Sequence, residues 1–437
     1  MRSSRVWAKM LGCDNAVVEG VDFDEQDAGD GSGPRLAVVV HVRPYQPQAH
    51  RCGICGRRRP GYDQGGGRRL WRALDAGPVT AWLEAAAPRV KYPAHGVVVA
   101  AVPWARHGAA HTRAFEDTVG WLACVTSKTT ITQLMRVSWR AVGHIVERVS
   151  DEAGAGTDRL AGLRRIGIDE ISYKRGHKYL TIIADHDSGL LVWAAPGRDK
   201  KTLRGFFDAL DPDRAAALTH VSADGASWIS SVVTEQAPAA VQCTDPFHVV
   251  SWATTALDEV RREVWNHARA QAGGHTVRRD GNRPRKISAG DAKDLKRARY
   301  ALWKNEGDLT ARQQARLAWI EKTHPYLYRA WLLKEGIRVI FQLKGQPKAA
   351  ADALDKWLAW AARCRIPQFV RLGQTIRAHR KGIEAALEHR LSNGLIESVN
   401  TKIRVITRMA FGFHHPAALI GLAMLTLGGL RPQLPGR

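Results

Sequence analysis

The spacing of apolar and polar residues changes several times along the chain. Short apolar stretches typical of β-strands, separated by turns rich in Gly, Pro and Asp, occur in residues 16–102. Apolar residues recur at helical spacing in 114–149, strands alternate with helices in 165–246, and charged helices extend to about residue 378. A final helical stretch starts at Lys381. We therefore expect a strand-rich N-terminal region, a small helical region, and an α/β core joined to a long helical region.

The first two strands are predicted to form a β-hairpin. Ala16–Val21 and Arg35–Val42 have the composition of strands, whereas Asp22–Gly33 between them is acidic and rich in glycine. Such a segment is typical of a long hairpin tip. The first strand is thus expected to end at Val21.

The middle of the chain has the element order of a ribonuclease H-like fold. Three strands are expected to form a meander, and further strands then alternate with helices. The expected strands are Arg165–Glu170, Tyr179–Ala184, Leu190–Trp193, Thr219–Asp224 and Ala239–Thr244. The predicted fold class is therefore an α/β core of ribonuclease H-like type.

Three acidic residues stand at matching places in this order. Asp169 lies on the first strand, Asp224 ends the fourth, and Glu397 opens a late helix. Three carboxylates gathered from distant segments can bind two Mg²⁺ ions, or Mn²⁺, because these ions prefer hard oxygen ligands. Each acid alone is more often a turn, cap or helix-dipole residue. The prediction of a catalytic site therefore rests on the three together.

The helix that carries Glu397 is predicted to be amphipathic. Its apolar residues share one face and are Ile396, Val399, Ile403 and Ile406. Glu397 belongs to a polar stripe, and packing of the apolar face would turn it towards a neighbouring cleft. Arg404 lies on the same stripe and is expected to support the site by holding phosphates.

The amino-acid composition is strongly basic, and this charge indicates the kind of partner that the protein binds. The 437 residues include 65 Lys and Arg against 42 Asp and Glu, which gives a formal net charge of +23. This excess favours an anionic polymer as partner, most often nucleic acid. Residues 261–305 hold 13 Lys and Arg but four Asp and Glu. We expect Arg283, Arg285 and Lys286 in this stretch to contact DNA from a loop, although a solvated surface has the same composition.

Cysteine usage and apolar runs bear on location. Six Cys residues, mostly isolated in sequence, do not form a disulfide framework and favour a reducing cytosol. The N-terminus lacks the apolar core of a signal peptide. The apolar tail Ala417–Leu427 is too short to span a bilayer. We expect a cytoplasmic protein without a membrane partner.

Cys52 and Cys55 form a Cys-x-x-Cys pair in a turn. Two thiolates at this spacing can bind one Zn²⁺ when other ligands come from elsewhere. The segment 90–96 is similar to the second knuckle of a zinc ribbon, but it offers His95 alone and has Tyr92 where a thiol is expected. His50 is a further candidate, although it lies very close to Cys52. An incomplete zinc site and two free thiols both remain open.

Residues 129–149 predict a helix-turn-helix. Thr129–Arg136 forms a short helix and Ser138 can cap the next one. The buried face of the second helix is expected to carry Trp139, Val142, Val146 and Val149. Arg136, Arg140 and His144 lie on other faces, from which a second helix contacts DNA in the major groove. A plain helical hairpin has the same pattern, and the positive charge favours DNA binding.

Together these motifs resemble the DDE transposases of bacterial insertion sequences, in particular the ISL-three family, over nearly the whole chain. The matching segments are Cys52-Gly-Ile-Cys55-Gly, Tyr92-Pro-Ala-His95-Gly, Val102-Pro-Trp104-Ala, Ile131–Val149, Ile168-Asp169-Glu170, Ala223-Asp224-Gly225, Asp245-Pro-Phe-His248, Asn393-Gly-Leu-Ile-Glu397-Ser-Val-Asn400, Arg408 and Phe411-Gly-Phe413. The resemblance implies a zinc-ribbon-like module and a helix-turn-helix module before a ribonuclease H-like core that is split by a helical insertion.

The resemblance also implies domain boundaries and roles. The expected domains are 1–108 with the zinc-finger-like module, 109–155 with the helix-turn-helix, 160–258 as the first segment of the core, 259–380 as the basic insertion and 381–437 as the last segment of the core. Asp169, Asp224 and Glu397 would be the catalytic acids. Asp245 and His248 would support the site, with a structural role at the strand end equally open.

The same resemblance makes Cys52, Cys55 and His95 the zinc ligands. Tyr92 departs from the pattern, because similar proteins carry Cys there, and this puts full coordination in doubt.

The implied function is that of a transposase. It would bind the terminal inverted repeats of its element, cleave a strand and join the freed 3′-hydroxyl to target DNA, acting as a homodimer or larger assembly at the bacterial nucleoid. Two alternatives stay open. One is a catalytically inactive DNA-binding protein derived from a transposase, which Tyr92 motivates, and the other is a ribonuclease H-like nuclease that cuts without joining.

Overall fold

The protein is described by a computed structural model for residues 3–27, 34–272, 289–343, 345–413 and 415–436. The β-strands within these ranges are β1 Ala16–Asp27, β2 Pro34–Pro44, β3 Gly61–Asp63, β4 Arg68–Arg72, β5 Thr80–Ala86, β6 Arg89–Tyr92, β7 Gly96–Val99, β8 Arg165–Lys174, β9 Lys178–Asp185, β10 Leu191–Pro196, β11 His220–Ala223 and β12 Val241–Thr244.

The α-helices in the same ranges are α1 Ser3–Met10, α2 Arg113–Ala123, α3 Lys128–Met135, α4 Trp139–Ala155, α5 Lys200–Leu210, α6 Pro212–Ala216, α7 Ser227–Gln236, α8 Pro246–Ala272, α9 Ala289–Arg297, α10 Arg299–Trp303, α11 Ala311–Thr323, α12 Pro325–Gln342, α13 Pro347–Arg363, α14 Pro367–Ala378, α15 Arg380–His389, α16 Gly394–Met409 and α17 Pro416–Leu427. No helix in the described ranges is long and apolar enough to cross a membrane.

The chain divides into two compact units. Unit 1 comprises Met1–Arg159, Leu190–Val192 and Thr401–Arg437, and unit 2 comprises Leu160–Gly189 and Trp193–Asn400. The N-terminal strands of unit 1 form a four-stranded sheet of order β1-β2-β5-β4 and a three-stranded sheet of order β3-β6-β7.

The predicted end of the first strand at Val21 is wrong. β1 continues to Asp27 and pairs antiparallel with β2, so that Asp22 lies opposite Val39. The physical reason is that β1 is an edge strand, whose polar side chains can face solvent while the backbone keeps its hydrogen bonds. The carboxylate of Asp22 also lies 2.8 Å from Nε2 of His41 on β2.

The apolar C-terminal tail of unit 1 is the helix α17. Its residues Leu419, Leu422 and Leu425 are buried. A Cβ on Gly421 would lie 3.3 Å from the carbonyl oxygen of Val146, so α17 packs closely on the backbone of α4. The apolar run therefore stabilises the second helix of the predicted helix-turn-helix.

The central sheet has the order β10-β9-β8-β11-β12. β8 and β9 are antiparallel, whereas β11 is parallel to both β8 and β12. The five strands expected from the sequence are thus confirmed, with ends that differ by a few residues. In unit 2 an apolar core formed largely by α8 and α12–α14 includes Leu257, Trp331, Trp357 and Phe369.

A helix covers the β12 edge of the central sheet. A Cβ on Gly382 of α15 would lie 2.4 Å from Oγ1 of Thr244, so a larger residue would prevent this approach. α15 leads into α16, whose expected apolar residues Ile396, Val399, Ile403 and Ile406 are all buried.

Candidate active site

Two acids lie side by side on neighbouring parallel strands, Asp169 within β8 and Asp224 directly after β11. β11 pairs with β8 so that Ser222 lies opposite Gly167, and Asp224 and Asp169 each follow two positions later. Asp169 is buried, and Asp224 accepts a hydrogen bond at Oδ1 from the backbone N–H of Ala226 at 2.8 Å. Because β8 and β11 are parallel, this register places Asp169 level with Asp224 on the sheet.

The carboxylate of Asp169 is held at both oxygens. Oδ1 accepts from the backbone N–H of Glu170, and Oδ2 accepts from Nδ2 of Asn400, each at 2.7 Å. Asn400 lies 231 residues later in sequence, on α16. The late helix is therefore fixed against the strand of the first acid.

A glycine and a buried asparagine bring the start of α16 onto the sheet. A Cβ on Gly167 would lie 2.5 Å from Cγ1 of Ile396, so only glycine permits this approach. Asn393 is fully buried, donates from Nδ2 to the carbonyl of Ile168 at 3.4 Å and accepts at Oδ1 from the hydroxyl of Ser222. These contacts tie α16 to both β8 and β11.

Glu397 lies between these two anchors. It follows Asn393 by four residues and precedes Asn400 by three, a spacing that puts all three on the same side of a helix. Its backbone N–H donates to the carbonyl of Asn393 at 2.8 Å, and its side chain is half-buried. The third predicted acid is therefore on the side of α16 that contacts Asp169.

Asp245 connects the end of β12 to the same helix. It is 1% exposed, and its Oδ1 accepts from the backbone N–H of Asn393 at 3.0 Å. Its Oδ2 lies 2.9 Å from Nδ1 of His248, in the first turn of α8. Both oxygens are thus used to fix α16 and His248, which is the arrangement of a positioning residue.

Burial and the neighbouring charges raise the pKa values of two acids at this site, Asp169 and Glu170. Burial is the largest cause of the raised pKa of Asp169, and the neighbouring charges of Asp224 and Asp245 add to it against the opposing effect of His248. Burial likewise raises the pKa of Glu170, with a contribution from Asp224. The hydrogen bond to Asp245 raises the pKa of His248, which favours the imidazolium beside the acids.

Two buried oxygens at this site have no hydrogen-bond partner in the described regions of the chain. They are Oε1 of Glu170 and Oδ1 of Asn400. The other oxygen of Glu170 lies 3.2 Å from Nε of Arg198. Unpaired buried oxygens cost free energy unless a ligand completes them, and carboxylate and amide oxygens are the donors that Mg²⁺ and Mn²⁺ prefer. The residues present therefore fit a divalent cation.

A second group of possible ligands lies in the N-terminal region. The ligand atoms of Cys52, Cys55 and His95 lie within 4.8 Å of one another, and Sγ of Cys52 is 3.4 Å from Nδ1 of His95. Burial opposes ionisation of Cys52, but hydrogen bonds from the Cys55 and Ile54 backbone and from His95 outweigh it and lower its pKa to about 7. Two thiols and an imidazole fit zinc.

No other trio of His, Cys, Asp or Glu in the described ranges is as compact as the cysteine–histidine group. Asp169, Asp224 and Glu397 do not form a group of this kind by themselves.

The fourth zinc ligand is not supplied by either residue that the sequence suggested. The ring of Tyr92 lies against His95 with centroids 4.7 Å apart, and the guanidinium of Arg59 lies 4.1 Å from its centroid. Nδ1 of His50 faces Gly61, where an added Cβ would lie 3.4 Å away, and His50 is outside the compact group.

The helix-turn-helix forms at the expected place. Oγ of Ser138 accepts from the backbone N–H of Ala141 at 3.2 Å and starts α4. Val142, Val146 and Val149 are buried as predicted, whereas Trp139 is half-buried.

The predicted DNA contacts differ in their surroundings. Arg140 and His144 are exposed on α4, and Arg404 is exposed on α16. Arg136 ends α3 in the left-handed conformation (φ 53°) and pairs with Asp75. The remaining expected contacts, Arg283, Arg285 and Lys286, lie outside the described residues.

Three family models match consecutive segments of the chain. Residues 48–95 match the zinc-finger of transposase IS204/IS1001/IS1096/IS1165, residues 100–150 match the helix-turn-helix domain of transposase family ISL3, and residues 166–422 match the transposase domain of the DDE type from the same family.

The chain belongs to the ISL3 family of insertion-sequence transposases.

Curated relatives agree with this family. The transposase for insertion sequence element IS1557 from two strains of Mycobacterium tuberculosis is 58% identical over 444 residues, which covers 100% of this chain and 98% of the relative. The transposase for insertion sequence element IS1001 from Bordetella parapertussis is 26% identical over 250 residues, or 57% of each chain. This ISL3 transposase is thus a DDE-type enzyme with a zinc ribbon, a DNA-binding helix-turn-helix and a catalytic domain in that order.

Several residues of the site were missed at the level of sequence. Ser222 and Arg198 were not singled out, and Asn393 and Asn400 were noticed within one motif without a role. The signal that points to Asn400 is its spacing of three residues from Glu397, which puts a second polar side chain on the same side of the helix.

Proposed function

We propose that this ISL3 transposase binds the terminal inverted repeats of its own element, and that Asp169, Asp224 and Glu397 are its catalytic acids. The observation that carries the proposal is the hydrogen bond from Asn400 to Asp169, which draws the helix of Glu397 against the strand of the first acid. An ordinary turn or cap role for each acid gives no reason for this long-range contact between α16 and β8.

We infer that the central sheet is a ribonuclease H-like core split by a helical insertion. The strand order β10-β9-β8-β11-β12, antiparallel at β8–β9 and parallel from β8 to β12, supports this inference. The core would then comprise 160–258 and 381–437, with the insertion at 259–380. The helix-turn-helix module would comprise 109–155, and the zinc-ribbon module would lie within residues 1–108.

Two divalent ions, Mg²⁺ or Mn²⁺, are proposed for the acid site. Oxygens of Asp169, Asp224 and Glu397 would hold them, because carboxylate oxygens are the hard ligands that these ions prefer. Such ions, when bound, polarise a phosphodiester and lower the pKa of water. Cys52, Cys55 and His95 would hold a zinc ion that stabilises the small N-terminal module.

The chain's own residues would orient the substrate around these acids. The carboxylate of Asp169 is fixed by two hydrogen bonds and cannot turn away from the site. Nδ1 of His248 is engaged by Asp245, which leaves Nε2 of the imidazolium for a phosphate oxygen. The half-exposed guanidinium of Arg198 provides a further positive charge beside Glu170.

DNA recognition is assigned to separate surfaces. Arg140 and His144 on the exposed side of α4 would read the inverted repeat in the major groove, with Arg136 at the turn. Arg404 and the basic insertion, including Arg283, Arg285 and Lys286, would hold phosphates of repeat and target DNA without sequence preference. Because two element ends must be joined, we propose at least a homodimer on DNA, acting on the nucleoid in the cytoplasm.

Labelled inverted-repeat DNA tests the proposal. Wild-type protein, Asp224→Asn and the matched control Asp208→Asn, an exposed acid on α5, are incubated with repeat and target DNA and Mn²⁺. We expect joined products from the wild type and control, and DNA binding without cleavage from Asp224→Asn. Cutting without joining by the wild type would indicate a nuclease, and binding alone would indicate an inactive derivative. Cleavage by Asp224→Asn would reject the acid assignment.

A further inference from the structure

Asn400 has one satisfied and one unsatisfied polar group in a buried place. Its side chain is 4% exposed, and Nδ2 donates to Oδ2 of Asp169 at 2.7 Å. Its Oδ1 is buried without a hydrogen-bond partner in the described ranges. A buried amide oxygen without a partner is unfavourable. We therefore expect Oδ1 to bind a hydrogen-bond donor or a cation.

The geometry of an amide fixes where that group must lie. The oxygen and nitrogen of a side-chain amide share one carbon, so Oδ1 of Asn400 lies no more than about 5 Å from the carboxylate oxygen that Nδ2 contacts. The hydrogen bond to Asp169 also decides which end of the amide is the oxygen, since a carboxylate accepts but does not donate. Oδ1 is therefore beside the first acid.

Asn393, at the other end of the same helix face, shows the contrasting case. It is also buried, but its Oδ1 accepts from Ser222 and its Nδ2 donates to the carbonyl of Ile168. Both ends of the Asn393 amide are thus used in holding α16. This structural role accounts for a buried asparagine at position 393. For Asn400 the same role accounts for Nδ2, which bonds to Asp169, but not for Oδ1.

We propose that Asn400 is a divalent-ion residue of the acid site, in which Nδ2 orients Asp169 and Oδ1 is an additional oxygen ligand of the bound ion. The inference rests on the proposed function of Asp169, Asp224 and Glu397 as ion ligands. An asparagine carbonyl is a hard, neutral donor suited to Mg²⁺ and Mn²⁺. It adds a ligand without adding a negative charge to an already acidic cluster.

The test compares two substitutions that separate the two halves of the amide. Asn400→Leu has a similar size but removes both donor and acceptor, whereas Asn400→Asp removes the N–H and keeps the oxygen. Mn²⁺ binding to zinc-loaded full-length protein is measured from the electron paramagnetic resonance of free Mn²⁺. Circular dichroism and the melting temperature check folding. If Asn400→Leu does not fold, weakening of Mn²⁺ binding by more than about threefold in folded Asn400→Asp overturns the ligand assignment by itself.

We expect Asn400→Leu to weaken Mn²⁺ binding by about 10–100-fold, the range for loss of a residue that orients or completes a metal site. Asn400→Asp should weaken it by no more than about threefold, because an oxygen ligand remains. Equal weakening by both variants, or less than about threefold weakening by folded Asn400→Leu, would overturn the ligand assignment.

Asp169→Asn distinguishes failure of this inference from failure of the proposed function. If Asp169→Asn loses Mn²⁺ while Asn400→Leu keeps it, the acid site stands and Asn400 is a structural residue. If Asp169→Asn binds Mn²⁺ as the wild type does, the acid site itself is wrong and the inference falls with it. Asp208→Asn should leave Mn²⁺ binding unchanged in either case, because it lies on the exposed side of α5.

Discussion

The backbone N–H of Asn393 donates to Oδ1 of Asp245 at 3.0 Å, although the two residues are 148 positions apart in sequence. Asp245 follows the last strand of the central sheet, and Asn393 precedes the helix of Glu397. One carboxylate thus fixes the place where the chain returns to the central sheet after the helices α8 to α15.

Asp245→Ala should therefore destabilise the protein. The substitution leaves the buried backbone N–H of Asn393 and the ring of His248 without their acceptor, and we expect a loss of about 1–3 kcal/mol, the cost of a buried donor left unsatisfied. Urea-induced unfolding measures the free energy of unfolding. Asp208→Ala, at an exposed site on α5, is the control and should change it by less than about 0.5 kcal/mol. A loss no larger than in the control would contradict the positioning role of Asp245.

His248 should make stability depend on pH. The hydrogen bond to Asp245 raises the folded pKa of His248 above its ordinary value of 6.5. A group with a raised folded pKa stabilises the fold in its protonated form, so its contribution is complete below about pH 6.5 and is lost as pH rises through the folded pKa.

His248→Gln tests this dependence. Melting temperatures of the wild type and of the variant are measured from about pH 6 to about pH 9 at constant salt, a range that spans the ordinary and the raised pKa of a histidine. The difference between them should be largest at the acidic end and shrink as pH rises. Parallel curves would mean that the pair with Asp245 does not favour the imidazolium.

Gly167→Ala should displace α16. The added Cβ would lie 2.5 Å from Cγ1 and 2.7 Å from Cδ1 of Ile396, and the buried helix has little room to move. Overpacking of this kind lowers the free energy of unfolding by about 1–3 kcal/mol. The rate of strand cleavage should also fall, because Glu397 moves with the helix.

Gly205→Ala is a matched control for that substitution. Gly205 lies within α5 and an added Cβ meets nothing within 4 Å, so alanine should stabilise the helix by up to about 1 kcal/mol. Thermal unfolding and cleavage assays of both variants give the comparison. Equal behaviour of the two alanines would argue against the tight contact of β8 with α16.

Tyr92→Cys should strengthen zinc binding. Three ligands come together at Cys52, Cys55 and His95, and Tyr92 packs directly against the ring of His95. A thiol at this place would supply the fourth ligand of a closed structural site. We expect release of zinc to a chelator to slow by about tenfold, the order of effect of completing a metal site. Tyr62→Cys, on β3, adds a thiol elsewhere in the module and should leave the release rate unchanged.

The sequence predicted those features that depend on local spacing. The apolar face of α16 and the cap at Ser138 follow from periodicity and residue type over a few turns, and both are confirmed. The contact between Asn400 and Asp169 could not be predicted in the same way, because it joins residues 231 positions apart and no periodic pattern encodes a single hydrogen bond.

The error at β1 has a related origin. The acidic residues and glycines after Val21 predict a loop when the segment is considered alone. The pairing of Asp22 with Val39 depends instead on the partner strand and on the exposure of the sheet edge. For Asp245 the sequence left two roles open, and the structure adds hydrogen-bond contacts with Asn393 and His248, which a local pattern does not encode.

The long separation between the segments of the acid site affects the timing of its formation during synthesis. β8 to β12 leave the ribosome well before α16, so a growing chain carries Asp169 and Asp224 without Asn393, Glu397 and Asn400. Non-local contacts of this kind also close large loops and form slowly. A chain whose translation stops between α8 and α15 therefore lacks the segment that completes the acid site, and it also lacks α17, which packs on the second helix of the helix-turn-helix. The last part of the chain to be made thus contributes both to the acid site and to the support of the helix-turn-helix, so neither is complete before synthesis ends.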